Sequence, residues 1–214
     1  MAKATSAKLF SKKEAIKFGF SFFKENIVTF LKLGVVVILI NFAASAITGG
    51  VKDSPIRFFW SIISIVISIA VQIGITKITL DLHDKKPLNL SYFYTLYHLI
   101  LNYFIASIIY GVIVIAGLIL LIAPGIIWAI KFQFYSFLIV DKGVGIMDSL
   151  KQSSKMTEGV KLNLLLFGGL LILINILGAL ALGIGLLVSI PTSLMATVYV
   201  YRKLLPKTTS VETS

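Results

Sequence analysis

The stretch YFIASIIYGVIVIAGLILLI, residues 103–122, decides the class of fold. It contains no charged residue, and its length matches the roughly 20 helical residues that cross the hydrocarbon core of a bilayer. A second apolar run, GIIWAIKFQFYSFLIV, follows at residues 125–140 after a connection that contains Pro124. Proline and glycine interrupt regular structure at such a point. The two runs therefore predict a helical hairpin that crosses a membrane and returns.

The remaining chain has the same character. Hydrophobic residues make up 57% of the sequence, charged residues only 14%, and the mean hydropathy is +0.97. A water-soluble domain of this composition would lack the polar residues that cover its surface. Further apolar runs occupy residues 27–47, 58–80, 162–182 and 185–201. The sequence predicts an all-α integral membrane protein with six transmembrane helices, of which those at 125–140 and 185–201 are short.

The basic residues lie mostly on one side of these six spans. Fifteen of the twenty fall in the connections and termini of one side, and two, Lys52 and Arg57, fall on the other. Because cytoplasmic loops retain lysine and arginine, the sequence predicts a multi-pass protein with both termini in the cytoplasm. The fifteen residues assigned to the cytoplasm are Lys3, Lys8, Lys12, Lys13, Lys17, Lys24, Lys85, Lys86, Lys142, Lys151, Lys155, Lys161, Arg202, Lys203 and Lys207.

Three short segments with helical amphipathicity precede the three hairpins. They occupy residues 10–24, 91–100 and 147–158, and each carries polar and apolar side chains on separate stripes. Helices of this kind lie in the membrane interface. The predicted fold is therefore three helical hairpins, each preceded by an interfacial amphipathic helix. The polar stripes are Lys13, Lys17, Ser21 and Lys24; Ser91, Thr95, His98 and Asn102; and Asp148, Lys151, Gln152, Lys155 and Glu158. The opposing apolar stripes include Ile16, Phe20 and Phe23 in the first segment and Met147 and Leu150 in the third.

The first and third units also match by residue. Residues 14–17, Glu-Ala-Ile-Lys, correspond to residues 148–151, Asp-Ser-Leu-Lys, and a Leu-Gly pair at 33–34 corresponds to Phe-Gly at 167–168. The chain is interpreted as a single transmembrane domain, residues 1–214, with repeat-like units at about 10–80, 88–140 and 145–203 and a short polar tail at 206–214. The alternative is that any polytopic chain with short outer turns looks repetitive.

Residues 123–169 carry an order of features that resembles a known family. Pro124-Gly125 opens a span, Val140-Asp141-Lys142 closes it, the surface segment 148–153 follows, and Thr157-Glu158-Gly159 precedes the next span. This order is similar to a largely uncharacterised bacterial and archaeal membrane family that includes the membrane domain fused to some glycerophosphoryl diester phosphodiesterases. The resemblance implies the fold and a prokaryotic plasma membrane location, but no reaction.

Motifs that carry chemistry are missing from the sequence. It has no cysteine, no glycine-rich phosphate loop, no paired histidine motif and no Gly-x-Ser-x-Gly elbow. All nine acids are predicted in loops, surface helices or tails, which disfavours a proton-coupled transporter. The cluster Asp81, His83 and Asp84 is interpreted as a solvated loop rather than a metal site. We therefore expect no catalytic residue, cofactor or metal, and no nucleic-acid partner.

A candidate polar site lies within the spans. Lys131 is predicted inside the fourth span, where a lysine is costly, and it could contact an anion or a lipid phosphate in an internal cleft. Alternatively, its side chain reaches the outer interface or a helix carbonyl. The other members of this candidate site are Gln133, Asn41, Gln72 and Asn175. The three amides Asn41, Gln72 and Asn175 also suit hydrogen bonds between helices.

Two functions agree with these features. The first is a non-enzymatic scaffold, accessory or lipid-organising protein that engages the cytoplasmic leaflet, with anionic lipids as partners. Its candidate headgroup contacts are Lys13, Lys17, Lys24, Lys151 and Lys155. The second is a small transporter or channel for an anionic or lipidic solute. Ala179 with Gly183 and Ala181 with Gly185 have the spacing for close helix packing, within the protomer or in a homo-oligomer or complex with another membrane protein.

Overall fold

The computed structural model describes residues 10–49, 55–181 and 183–205. Within these residues all regular structure is helical, which confirms the all-α class. The helices are α1 (Lys12–Glu25), α2 (Ile27–Gly49), α3 (Pro55–His83), α4 (Tyr92–Thr95), a 3-10 turn (Tyr97–Leu99), α5 (Ile100–Leu120), α6 (Ile122–Phe132), α7 (Tyr135–Lys142), α8 (Ile146–Met156), α9 (Lys161–Leu180) and α10 (Leu186–Leu204). Lys3, Lys8, Lys52, Lys207 and the tail 206–214 lie outside the described residues.

Five helical segments of the described chain are long and apolar enough to cross a membrane. They are Ile27–Ala46, Phe58–His83, Tyr97–Leu120, Ile122–Lys142 and Lys161–Leu180. The protein is therefore a membrane protein. The sixth predicted span corresponds to α10, which is 19 residues long but carries Ser189, Thr192, Ser193, Thr197 and two basic residues near its end.

The second hairpin turns earlier than the sequence predicts. Leu121, with extended backbone angles of φ −164° and ψ 146°, separates α5 from α6, so Pro124 lies in the first turn of α6. Proline fits there because the first amide groups of a helix have no partner within the helix. The turn can be this short because Gly117 and Gly125 let the two helices touch. A Cβ at Gly117 would lie 2.8 Å from the Cα of Gly125.

The third hairpin is also packed through glycines, and Gly185 of the predicted small residues is one of them. A Cβ at Gly185 would lie 2.7 Å from the Cα of Gly178, so α9 and α10 approach across these two residues. Gly183 instead has a φ of +77°, a conformation that favours glycine, and it makes the turn. Gly185, which was predicted with Ala181 to allow close helix packing, does so against Gly178, whereas Gly183, predicted with Ala179, forms the turn instead.

Segment 10–24, predicted to be an interfacial helix, forms α1, which packs against α10. Ala15, Gly19 and Phe23 form its buried stripe. A Cβ at Gly19 would overlap the carbonyl oxygen of Thr192 on α10. Phe20, assigned to the apolar stripe, is 46% exposed. Of the predicted apolar stripe Phe23 is buried, and the closest approach to α10 is made by the small residues Ala15 and Gly19, which leave room for a neighbouring backbone.

Segment 91–100 is not a continuous amphipathic helix. The four-residue helix α4 and the 3-10 turn are separated at Leu96, which has backbone angles of φ −90° and ψ 23°. Local side-chain bonds compete with a longer helix: the Asn89 side chain accepts hydrogen bonds from the amide and hydroxyl groups of Ser91, and the Thr95 hydroxyl donates to the Ser91 carbonyl. The predicted stripe of polar residues is therefore interrupted.

Segment 147–158 forms α8 as predicted, but with a different buried face. Ser149, Leu150, Ser153 and Met156 are buried, whereas Met147 is 56% exposed. The buried face packs on α5, α6 and α7. Two small polar side chains enter the core because they bond to backbone groups there.

The three short segments pack on the described bundle in the same way. Phe93 of α4 packs over Gly74 of α3, the second helix of the first hairpin. The α8 helix packs on α6 and α7, which end the second hairpin, and α1 packs on α10, which ends the third. Each short segment thus covers the end of one hairpin. The contact of α1 with α10 joins the first and the last of the described helices.

Candidate functional site

The fourth predicted span is broken between α6 and α7, at Gln133 and Phe134. The Ser153 hydroxyl lies 3.1 Å from the carbonyl oxygen of Lys131, to which it donates, and accepts from the amide of Phe134 at 3.1 Å. The Thr157 hydroxyl also donates to the Lys131 carbonyl at 3.1 Å. Backbone groups within a membrane need partners, and α8 supplies them here. The break is therefore a fixed structural feature.

Three of the five predicted polar residues do not come together. The ammonium of Lys131 lies 5.1 Å from the ring centroid of Phe132, and the side-chain amide of Gln133 donates to the carbonyl of Ile130. The amide of Asn41 donates to the carbonyl of Val37 on its own helix. None of the three lines the cavity described next.

Gln72 and Asn175 do share a cavity of about 330 Å³, which we call the polar cleft. Asn175 joins α9 to α10, because its amide nitrogen donates to Ser193 at 2.9 Å and its oxygen accepts from Ser189 at 2.9 Å. Phe137, Ile190 and Leu194 supply the apolar part of the lining. The polar lining residues are Gln72, Thr76, Tyr103, Ser136, Asn175, Ser193 and Thr197.

Sequence reasoning missed a polar stripe that leads along α3 into the cleft. Ser64, Ser68, Gln72 and Thr76 follow one another at four-residue intervals, and a shallow groove lined by the first three continues from the cleft. Residues four apart lie on one face of a helix. The hydroxyls of Ser68 and Thr76 each donate to the carbonyl four residues earlier. The spacing was the signal that could have found this stripe.

An ionic cluster joins the ends of α3, α7 and α10. Arg202 donates to both carboxylate oxygens of Asp141, at 2.7 Å and 3.1 Å, and to Asp84 at 2.6 Å. The hydroxyl of Tyr201 donates to Asp141 at 3.0 Å. The prediction that all acids lie in loops, surface helices or tails was wrong for Asp141, whose side chain is 8% exposed at the end of α7. It is buried because Arg202 neutralises it.

Asp81 is also buried, at the end of α3 rather than in a loop. The hydroxyl of Tyr92 donates to it at 2.8 Å, and the ammonium groups of Lys77 and Lys86 lie 3.3 Å and 3.4 Å away. The hydrogen bond to Asp81 raises the pKa of Tyr92. Across the described chain, no group of three or more histidine, aspartate or glutamate side chains is arranged to hold a metal ion. The contacts of Asp81 with Tyr92 and Lys86 therefore hold the connection between α3 and α4 against the end of α3.

Five exposed lysines project from the two amphipathic helices that cover hairpin ends. We call Lys13, Lys17, Lys24, Lys151 and Lys155 the surface lysines, and none of them forms an ion pair with another described residue. The opposite faces of α1 and α8 are buried in the protein. The lysines are therefore held on helices that cannot roll to bury them.

The chain is similar to the Uncharacterized protein Rv2560 of Mycobacterium tuberculosis (strain ATCC 25618 / H37Rv). The two sequences are 33% identical over 132 residues, which cover 61% of this chain and 40% of the relative. The chain therefore spans less than half the length of the relative that it matches. No known family profile matches the chain, and no solved structure matches it.

The arrangement suits binding more than bond breaking. The buried carboxylates of Asp81 and Asp141 are each occupied by cations and a tyrosine hydroxyl, so neither is poised to accept a proton from a substrate. The polar cleft offers hydroxyl and amide groups, and the surface lysines offer positive charge. These are the two features from which a function can be argued.

Proposed function

We propose that this protein is a non-enzymatic membrane protein that organises lipids of the cytoplasmic leaflet, as a scaffold or accessory subunit. The observation that carries the proposal is the set of five exposed surface lysines on α1 and α8. Each lysine near an anionic headgroup contributes about 1 kcal/mol of attraction. Because both helices are anchored by their buried faces, the lysines present a fixed pattern of charge to the headgroups.

Transport of an anionic solute, the alternative function, receives less support. An anion pathway needs a positive charge where it crosses the membrane. Lys131 does not line the polar cleft, and the lining contains no lysine or arginine. A lipidic ligand does not need that charge.

Replacing all five surface lysines with glutamine should weaken the retention of anionic lipid by the purified protein. We expect at least about a tenfold loss at low ionic strength, because several favourable contacts disappear together. The difference should shrink as salt screens the remaining charges. Native mass spectrometry across a salt series, with phosphatidylglycerol as the probe, measures both effects.

A matched control distinguishes the effect of where the lysines lie from the effect of the total positive charge removed. The triple variant Lys13→Gln, Lys17→Gln and Lys24→Gln is compared with Lys85→Gln, Lys161→Gln and Lys203→Gln, which removes the same charge elsewhere. The first set should lose more anionic lipid. Equal retention by all variants and the parent at low salt would mean that the lysines serve only to orient the protein.

The proposed topology has six spans, with α10 as the sixth, and places both termini in the cytoplasm. Because the chain lacks cysteine, single cysteines can report the side of the membrane. Cysteines at Lys151 and Lys203 should resist an impermeant thiol reagent in intact cells, and one at Asp53 should react. Reaction at Lys203 with protection at Lys151 would instead leave five spans and an outer C-terminus.

A further inference from the structure

We propose that the polar cleft binds the uncharged headgroup of a neutral, hydroxyl-bearing membrane lipid, of which a diacylglycerol is the simplest example. This site is separate from the surface lysines, since none of them lines the cleft. The proposal therefore goes beyond the function proposed above and does not rest on it.

The side chain of Gln72 lies deep in its span and is unpaired. It lies 14 residues after Phe58 and 11 before His83, the ends of its span, so it is about 21 Å and 16 Å along the helix from them. Its amide is exposed and makes no hydrogen bond to another described residue. Water is scarce at this depth, and an unpaired amide there is costly. A ligand with a donor and an acceptor would satisfy it.

The polar cleft has the size and the chemistry of a small-molecule site. A volume of about 330 Å³ is far above the roughly 10–15 Å³ that one water molecule needs, and it lies within the range of small-molecule sites, roughly 300–1,000 Å³. The polar lining consists of hydroxyl and amide groups. A charged headgroup would find no counter-ion in this lining, whereas hydroxyl and ester groups would find both donors and acceptors.

The surroundings of the polar cleft favour a lipid as the source of the ligand. Ile190 and Leu194 line the polar cleft on one side and an apolar groove of about 400 Å³ on the other. That groove lies between α2, α3 and α10 and includes Leu33, Gly34 and Pro191. A polar cleft beside an apolar groove, both open at the flank of apolar helices, suits a molecule with an uncharged head and an acyl chain. A soluble polyol would have to cross hydrocarbon to reach Gln72.

The test uses the purified full-length protein with a short-chain diacylglycerol as the probe, measured by native mass spectrometry. Gln72→Met keeps the shape of the side chain and removes its hydrogen bonds. We expect this variant to bind the diacylglycerol about fivefold more weakly, the effect of one lost hydrogen bond. Ser193→Ala should also weaken binding. The matched control is Asn41→Leu, which removes an amide from another apolar helix, outside the cleft, and should bind like the parent.

Two further measurements decide the class of ligand. Phosphatidylglycerol should bind Gln72→Met as well as it binds the parent, because the surface lysines are unchanged. An excess of free glycerol should not displace the diacylglycerol. Displacement by glycerol would identify a soluble polyol as the ligand and overturn the lipid assignment. Equal diacylglycerol binding by the parent, Gln72→Met and Ser193→Ala would overturn the site itself and leave the cleft as a space for water.

Discussion

Replacing Arg202 with methionine should lower the free energy of unfolding by about 3 kcal/mol, because it leaves a buried carboxylate without its partner. Asp141 is 8% exposed, and both of its oxygens accept hydrogen bonds from Arg202. The same guanidinium also holds Asp84, so its loss disconnects the ends of α3, α7 and α10 at once. Methionine keeps much of the length of the side chain, so packing is retained.

Thermal unfolding in detergent measures this effect, with Lys203→Met as the control because Lys203 is exposed one residue away. The double variant Arg202→Met with Asp141→Asn should recover part of the lost stability, since an uncharged amide is cheaper to bury than an unpaired carboxylate. Unfolding at the same temperature for the parent and Arg202→Met would mean that water reaches Asp141 and that the pair is a surface contact.

The transmembrane character was predictable because uncharged apolar runs of roughly 20 residues match the thickness of the hydrocarbon core of a bilayer. The packing of α1 on α10 was not predictable, because an apolar stripe can face either lipid or another helix. In the membrane both surroundings are apolar, so hydropathy does not distinguish them. The information lay instead in small residues, such as Ala15 and Gly19, whose side chains leave room for a neighbouring backbone.

The match between the first and third units extends beyond their few identical residues to the pattern of buried positions. At the same offset, buried positions of the first unit coincide with buried positions of the third. These pairs are Ala15 and Ser149, Gly19 and Ser153, Phe23 and Thr157, Phe30 and Leu164, and Leu33 and Phe167. Had the alignment been extended along both helices, the buried stripe of α1 could have been predicted from that of α8, or the reverse.

The candidate site was predictable only where a residue is unusual for its surroundings. Gln72 and Asn175 stand out in apolar spans and do share a cleft. Lys131 stands out equally, but it does not line the cleft. The pair of Asp141 and Arg202 could not be found, because the residues are 61 positions apart and each is ordinary at the end of an apolar helix.

Replacing Gly19 with leucine should be the most damaging single change in α1. A Cβ at this position would overlap the Thr192 carbonyl oxygen and lie 3.0 Å from the amide nitrogen of Ala196, both of them backbone atoms of α10. Backbone atoms in a helix cannot move aside as the end of a side chain can, so α1 must shift or detach. We expect a loss of about 3 kcal/mol in the free energy of unfolding, at the upper end for overpacked cores.

The matched control is Gly34→Leu in α2, because no atom lies within 4 Å of a Cβ at Gly34. Leucine favours a helix over glycine by roughly 1 kcal/mol, so this variant should be at least as stable as the parent. A cysteine at Ala15, which is fully buried, reports whether α1 has detached. It should resist a thiol reagent when residue 19 is glycine and react when it is leucine. If the cysteine is protected from the reagent with either residue at position 19, α1 has stayed in place and α10 has moved to admit the leucine. The contact between α1 and α10 would then be stronger than one close approach implies.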